Sequence, residues 1–190
     1  MFMRQFSIAL RILAILVAAL GLIYPSALWA AGRFSAFTAD GSLVTDAQHR
    51  TIGSALIGQS FPGPQWFHPR PSAAGAGYDP MNSGASNLAQ SSPTLIREVT
   101  ARTSLVARAD GVAPAAIPAD AVTASASGLD PDISPDYARL QVQRIARARS
   151  VDPALVARLV ARLTQGRTLG IFGEPRVNVL SLNLALQQLS

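Results

Sequence analysis

The run ILAILVAALGLIYPSALWAA, residues 12–31, decides the architecture of this chain. It contains no charged side chain, and as an α-helix it would extend about 30 Å, the thickness of a bilayer's hydrocarbon core. A cleaved signal peptide is the alternative. Signal cleavage requires a small residue three positions before the cut. Cleavage after Ala30 would place Leu28 there, and cleavage after Ala31 would place Trp29 there. We therefore predict a retained transmembrane helix over 12–32, with a signal peptide as the alternative.

The basic residues on either side of the run indicate its orientation. Arg4 and Arg11 precede it, and Arg33 follows it. Because basic flanks stay in the cytoplasm, this two-to-one bias predicts a cytoplasmic N-terminus over 1–11. The remainder, 33–190, is then exported as a single extracytoplasmic domain.

The composition excludes several classes of protein. Of the 190 residues, 49% are hydrophobic and 14% charged, a balance that excludes a disordered chain. The absence of cysteine excludes a disulfide scaffold, thiolate-bound metals and thiol nucleophiles. All 16 basic residues are arginine, so reactions that need a lysine, such as Schiff-base formation, are excluded. The arginines are dispersed along the chain and form no basic stripe, which disfavours nucleic-acid binding.

The exported domain begins with two short β-like runs, at 42–44 and 51–59, followed by a long segment, 59–94. Half of the residues in this segment are Gly, Pro, Ser or Asn, a composition typical of a linker. A linker would not carry large apolar rings, so the segment is predicted to be an ordered loop that packs on the domain. Its aromatic residues are Phe61, Trp66, Phe67 and Tyr78.

A repeated pattern marks the starts of three helices, each with Ser or Asp as a capping residue before Pro at the first helical position. The leucine-rich tail from residue 177 fits both the alternation of a strand and a helical face, and we predict a fourth helix there. We predict a fold of the α+β class, with one transmembrane helix followed by a small domain of a few short strands and about four helices. The three capped helices are predicted over 93–109, 135–149 and 153–165, with a further strand over 121–124.

Helical periodicity also predicts which faces are buried. The helix over 135–149 is rich in arginine and is expected to have only a thin apolar face. The helix over 93–109 is expected to bury Leu95, Ile96, Val99, Thr103 and Val106.

No complete catalytic motif is present. Gly53 and Gly58 have the spacing of a phosphate-binding loop, but Gln59 stands where its lysine should be, so the glycines are interpreted as close-contact positions. His49 and His68 lack further ligands at metal spacing, so both are assigned to hydrogen bonds rather than zinc.

The carboxylates do not form a catalytic pair either. Glu98 is expected on a helix surface and Glu174 in a turn, so the two carboxyls of a glycosidase are not apparent. Asp130 and Asp132 are interpreted as loop and capping residues, too few for a calcium site. The residues alone predict an anchored, non-enzymatic domain with a structured polar loop.

Several sequence blocks resemble those of the KdpC family, the small C subunit of the bacterial Kdp potassium-transporting P-type ATPase. They occur in the family's order behind one N-terminal span and cover nearly the whole chain. The blocks are GSALIGQSF (53–61), FHPRPSAAG (67–75), YDPMNSGASNLAQSSP (78–93), VTASASGLDPDISP (122–135) and GEPRVNVLSLNLAL (173–186).

The resemblance implies a non-catalytic accessory subunit of a high-affinity, ATP-driven potassium import complex in the bacterial inner membrane. Its implied partners are a channel-like potassium-selective subunit, a phosphorylated ATPase subunit and a small single-helix subunit. Family members are described as catalytic chaperones that stabilise the assembly and raise the ATP affinity of the ATPase subunit. ATP is thus a family-level ligand, bound directly or through the partner, and potassium is the transported ion.

A periplasmic domain lies across the bilayer from cytosolic ATP, so an effect on ATP affinity must pass through the span and the partners as a coupling free energy. We predict that the domain caps the outer mouth of the channel-like subunit, with polar residues of the 67–87 loop at the interface. Two alternatives stay open: an exported binding protein or hydrolase released after signal cleavage, and direct ATP binding through Gln59 or 122–135. The candidate interface residues are His68, Arg70, Tyr78, Asn82, Ser86 and Asn87.

Overall fold

The structure, a computed structural model, describes residues 2–46 and 48–189. The chain divides into two compact units, with the boundary between Leu43 and Val44. The first unit is helical, and the second contains all other helices and nearly all of the β-structure. This confirms the predicted fold class.

The first unit is one helical stretch of 38 residues, Phe2–Ala39, none of which is buried. Its length and apolar composition are sufficient to cross a membrane. Pro25 follows a π-helical turn, which widens the backbone where the proline ring would meet the carbonyl of residue 21. The successive elements are α1 Phe2–Ala18, the π turn Ala19–Ile23, α2 Tyr24–Gly32, the 3-10 turn Arg33–Ser35 and α3 Ala36–Ala39.

The β-structure comprises two small sheets. Strands β1 (Leu43–Thr45) and β2 (Thr51–Ser54) form the first sheet. The second sheet is antiparallel in the order β3-β5-β4, and Val177 of its central strand lies opposite both Ile133 and Thr164. Its strands are β3 Asp132–Ile133, β4 Thr164–Gln165 and β5 Arg176–Asn178.

Among its described residues, the second unit has four α-helices: α4 Pro93–Asp110, α5 Pro135–Arg149, α6 Pro153–Leu163 and α7 Val179–Gln187. Helix α5 packs on α6, and α6 packs on α7. One apolar core lies between these helices, the three-stranded sheet and the long loop. The core side chains include Phe67, Ile133, Tyr137, Val142, Ile145, Val156, Leu159, Val160, Val177, Leu182 and Leu186.

The predicted helix starts are confirmed, with proline in the first turn of α4, α5 and α6. The Ser134 hydroxyl accepts a hydrogen bond from the Tyr137 amide at 3.0 Å, and the Asp152 carboxylate accepts one from the Ala154 amide at 2.8 Å. Ser92 makes no side-chain capping bond, so the proline alone marks the start of α4.

The predicted burial of two helices is wrong. Helix α5 has a broad buried face, because Gln141 and Arg144 are buried beside its apolar residues. In α4, by contrast, Ile96 is 56% exposed, and only one narrow stripe of the helix, including Val99 and Val106, packs on the core. Periodicity assigns a face by hydrophobicity, whereas the neighbours of each helix decide how wide that face is.

Three predicted element boundaries also differ. Residues 121–124 form no strand, because the chain turns through a 3-10 helix, Ala119–Ala121, which is continued by a hydrogen bond from the Thr123 amide to the Ala119 carbonyl. Strand β2 ends at Ser54 rather than Gln59, since the chain turns there. Helix α6 ends at Leu163 because the next two residues pair with β5.

We expect Gly128→Ala to lower the free energy of unfolding by about 3 kcal/mol. Gly128 has a φ of +67°, and a Cβ there would lie 2.6 Å from the amide nitrogen of Ala74 and 2.6 Å from the carbonyl oxygen of Gly84. Urea unfolding of the full chain in detergent micelles measures the loss. The control is Gly166→Ala, where a Cβ meets nothing within 4 Å. Equal stability of the two variants would contradict this account.

Candidate functional site

The long loop is held at its start by the buried guanidinium of Arg144. This group donates to the Asp110 carboxylate at 2.8 Å, to the Pro64 carbonyl at 2.6 Å and to the Trp66 carbonyl at 2.9 Å. It also donates to the Gln141 side-chain oxygen at 2.6 Å. The side chains of Arg144 and Asp110 are only 5% and 3% exposed. One cation therefore joins α4, α5 and the loop.

Two buried amides hold the next two loop residues as a neighbouring strand would. The Asn183 side chain accepts from the Phe67 amide at 2.8 Å and donates to the Phe67 carbonyl at 3.0 Å. The Gln141 side chain does the same for His68, at 2.7 and 3.1 Å. These pairs satisfy a backbone that belongs to no sheet, so a loop can cross the core.

Sequence reasoning missed these anchoring side chains. The available signal was position: Gln141 lies one helical turn after Tyr137, and Asn183 lies on the buried face of α7. A polar residue at an apolar position of a helix indicates a buried hydrogen-bond partner elsewhere in the chain.

A second set of contacts holds the middle of the loop against residues 123–130. Arg70 and Asp130 form an ion pair at 2.8 Å, and the Ser72 hydroxyl donates to the Gly128 carbonyl at 2.6 Å. The Tyr78 hydroxyl donates to the Arg70 carbonyl, and burial raises the pKa of Tyr78 to about 12. The phenol therefore stays protonated and remains a donor at neutral pH.

The far end of the loop faces outward. Asn82, Ser86 and Asn87 are exposed, and Asn87 has a φ of +52°. Asn82 donates to the neighbouring Asp79 carboxylate at 2.5 Å. The six candidate interface residues thus divide into two groups. His68, Arg70 and Tyr78 are half-buried and bonded within the domain, whereas the other three are presented to the exterior.

An open cleft of about 360 Å³ lies beside the start of the loop. The rings of Phe61 and Trp66 line it, with centroids 6.3 Å apart, and Arg149 lies 4.6 Å from the Trp66 centroid. Its polar lining includes Gln59, whose amide packs so closely on Gly53 that a Cβ there would clash. The other lining residues are Asp46, Gln48, Arg50, Ile52, Leu180, Asn183, Leu184 and Gln187.

The two glycines of the incomplete phosphate-loop pattern act in packing, as predicted. A Cβ on Gly58 would lie 2.6 Å from the Asp130 carbonyl oxygen, and the Gly58 amide donates to the Leu129 carbonyl at 2.8 Å. That amide is committed to a protein partner, whereas a phosphate cradle needs free backbone amides.

The acidic residues near β3 are engaged in structural bonds. Asp120 accepts from both the amide and the hydroxyl of Ser134, at 2.7 and 3.0 Å. Asp132 accepts from Asn178 and pairs with Arg176, and burial raises the pKa of its carboxyl. Within residues 2–46 and 48–189, no three His, Asp or Glu side chains are grouped so that they could hold a metal ion.

Comparison with known proteins places these features in a family context. The sequence profile described as KdpC, K+-transporting ATPase, c chain, matches residues 6–188. A potassium-transporting ATPase KdpC subunit of Kineococcus radiotolerans is 54% identical over 185 residues, which cover 97% of this chain and 94% of that protein. The corresponding subunit of Gemmatimonas aurantiaca is 54% identical over 173 residues, covering 90% and 85%. That of Geobacter sulfurreducens is 51% identical over 152 residues, covering 80% and 79%.

We expect Arg144→Gln to lower the free energy of unfolding by about 3 kcal/mol or more, because it leaves Asp110 buried without its cation. The matched control on the same helix is Arg139→Gln, which breaks the exposed pair with Asp136 and should cost less than about 1 kcal/mol. Chemical denaturation of both full-length variants gives the comparison. Similar losses in the two variants would show that the buried pair does not hold the loop.

The stability of the domain should also depend on His68. Burial, reinforced by the charge of Arg144, lowers the pKa of His68 below its ordinary value of 6.5. As the pH falls, His68 therefore binds a proton in the unfolded chain before it does so in the folded chain. The contribution of neutral His68 to the free energy of unfolding is full above about pH 6.5 and is lost as the pH falls further.

Thermal unfolding between pH 7.5 and 5.5 tests this dependence. His68→Gln should weaken the loss of stability on acidification, since an amide can donate to the Gly63 carbonyl, the partner of the His68 ring at 2.9 Å, without titrating. The exposed His49 provides the control, His49→Gln. A dependence in His68→Gln as steep as in the control, or steeper, would contradict the prediction.

Proposed function

The chain belongs to the KdpC family, the c chain of K+-transporting ATPases, and from this premise we propose that it is a non-catalytic accessory subunit of the complex. In this role it stabilises the assembled transporter and raises the ATP affinity of the ATPase subunit. The apolar helix Phe2–Ala39 supports a membrane anchor, and the anchored loop supports recognition of another subunit.

The main support for the proposal is that one part of the loop is buried in the domain and another part is exposed on its surface. Arg144, Gln141 and Asn183 hold the residues that cross the core, while Asn82 and Asn87 stay exposed. A surface ordered before binding loses little conformational entropy on association, so polar contacts on it contribute more to affinity. We infer that this presented end contacts the channel-like potassium-selective subunit.

The proposed orientation determines how the subunit influences ATP. With Arg4 and Arg11 in the cytoplasm, the domain lies in the periplasm and has no access to cytosolic nucleotide. Its effect is then a coupling free energy transmitted through the helix and the partner subunits, about 1–3 kcal/mol for typical coupled sites. That range corresponds to a change in ATP affinity of about 5- to 150-fold.

Direct ATP binding by this domain is a second candidate, and the cleft beside Gln59 is the observation that favours it. Phe61 and Trp66 line this cleft as aromatic surfaces on which a purine could stack. Saturable binding of ATP to the purified full chain, weakened by Gln59→Ala, would support this candidate. Binding that appears only with the ATPase subunit present supports the indirect mechanism.

We expect Asn82→Ala, Ser86→Ala and Asn87→Gly, taken singly, to weaken assembly or potassium-stimulated ATPase activity, with about a fivefold effect for a central contact. Glycine is chosen at 87 because alanine would strain a backbone with positive φ. Co-purification from membranes and ATPase assays measure both effects. Gln143→Ala, on an exposed position of α5, is the control. Unchanged values for all three loop variants would remove this interface.

The N-terminus of the mature protein should be retained. Mass spectrometry of the chain purified from membranes is expected to find the helix still attached. Leu28 and Trp29 are too large for the position at which signal cleavage requires a small residue. A mature chain beginning near Ala31 would instead favour an exported binding protein or hydrolase.

A further inference from the structure

A small hairpin, residues 166–173, projects from the sheet between β4 and β5. Thr168 and Phe172 exchange two backbone hydrogen bonds, each of 2.9 Å. Within the turn, the Gly170 amide donates to the Arg167 carbonyl and the Ile171 amide to the Thr168 carbonyl. The turn therefore satisfies much of its own backbone.

The base of this hairpin is closed by an exposed ion pair between Arg167 and Glu174. Arg167 donates to both carboxylate oxygens of Glu174, at 2.9 and 2.8 Å. Both bonds come from the same nitrogen, Nη2, so the pair joins the two ends of the hairpin and supplements the backbone bonds between Thr168 and Phe172. The hairpin is thus a defined structure and not an unsupported loop.

The tip of the hairpin is apolar and exposed. Leu169 is 84% exposed, Ile171 68% and Phe172 61%. Three large apolar side chains are therefore exposed within four residues, and clustered exposed apolar side chains mark an interaction site.

Leu169 is an unusual choice for its backbone position. Its φ is +54°, and Gly170 follows with a φ of +77°, the conformation in which hairpins favour Asn-Gly or Gly-Gly. Leucine is strained there because its Cβ approaches the carbonyl oxygen. A strained residue that contributes nothing to the core indicates a role outside the domain.

We propose that the hairpin tip inserts into the surface of the lipid bilayer. A turn that bonds its own amides can enter the edge of the hydrocarbon at low cost, because hydrocarbon offers no hydrogen-bond partners to an unsatisfied backbone. Exposed Arg158 and Arg162 lie on α6 just before β4, where they can bind anionic headgroups. Residues 33–42 tether β1 to the predicted span: the helical residues 33–39 add about 10 Å and Asp40 to Ser42 a reach of about 14 Å, which limits how far the chain can extend from the bilayer at β1.

The absence of cysteine allows a clean test with a single reporter. Ile171→Cys, labelled with an environment-sensitive fluorophore, is placed in the full chain in nanodiscs of equal phosphatidylglycerol and phosphatidylcholine. We expect nitroxide-bearing lipids to quench this label. The control is Ala115→Cys, an exposed position in another turn, where quenching should be weak. The same labels are then measured in the complete ATPase complex in these nanodiscs.

Leu169→Asn separates lipid contact from folding. Asparagine suits the left-handed conformation, so the melting temperature should be unchanged or higher, while partition of the tip into lipid falls by about tenfold. Equal quenching at 171 and 115, or quenching that survives Leu169→Asn, would overturn the proposal. So would a label at 171 that is shielded only in the complete complex and not quenched by nitroxide lipids, since that result indicates a protein partner.

Discussion

The long loop depends on one buried charge, the guanidinium of Arg144. Removing an arginine from water costs several kcal/mol, and the cost is offset only when a counterion and enough acceptors complete its hydrogen bonds. Asp110 supplies the counterion, and the loop supplies two carbonyl oxygens. If the loop moved away from the core, the buried Arg144 guanidinium would lose two of its hydrogen-bond acceptors. The interaction that stabilises α4 on α5 therefore also orders the loop.

This arrangement explains how a segment of turn-forming composition can cross a core. A buried backbone must find hydrogen-bond partners, and here the partners are side-chain amides from α5 and α7 instead of a strand. Each amide matches both the donor and the acceptor of one residue, which specifies the register of the loop. The order gained at Phe67 and His68 positions the exposed end more than a dozen residues later.

The two units meet different solvents. The residues of Phe2–Ala39 bury none of their apolar side chains within the chain, which suits a helix that has lipid around it. The second unit has its own core and exposes a polar loop end and an apolar hairpin tip. The polar groups of this unit are committed to structural bonds, which fits the accessory role proposed above.

Local interactions let the sequence alone determine the apolar helix, the starts of α4, α5 and α6, the helical tail and the family. Each of these depends on residues within a turn or two of one another, or on short blocks in order. Only the tertiary structure decided the buried width of α5, the exposure of Ile96, the end of β2 and the division of the loop. These depend on partners far apart, such as Phe67 and Asn183, which are 116 positions apart. Spacing along a chain does not specify which distant groups will meet, because packing selects them from many that are chemically equivalent.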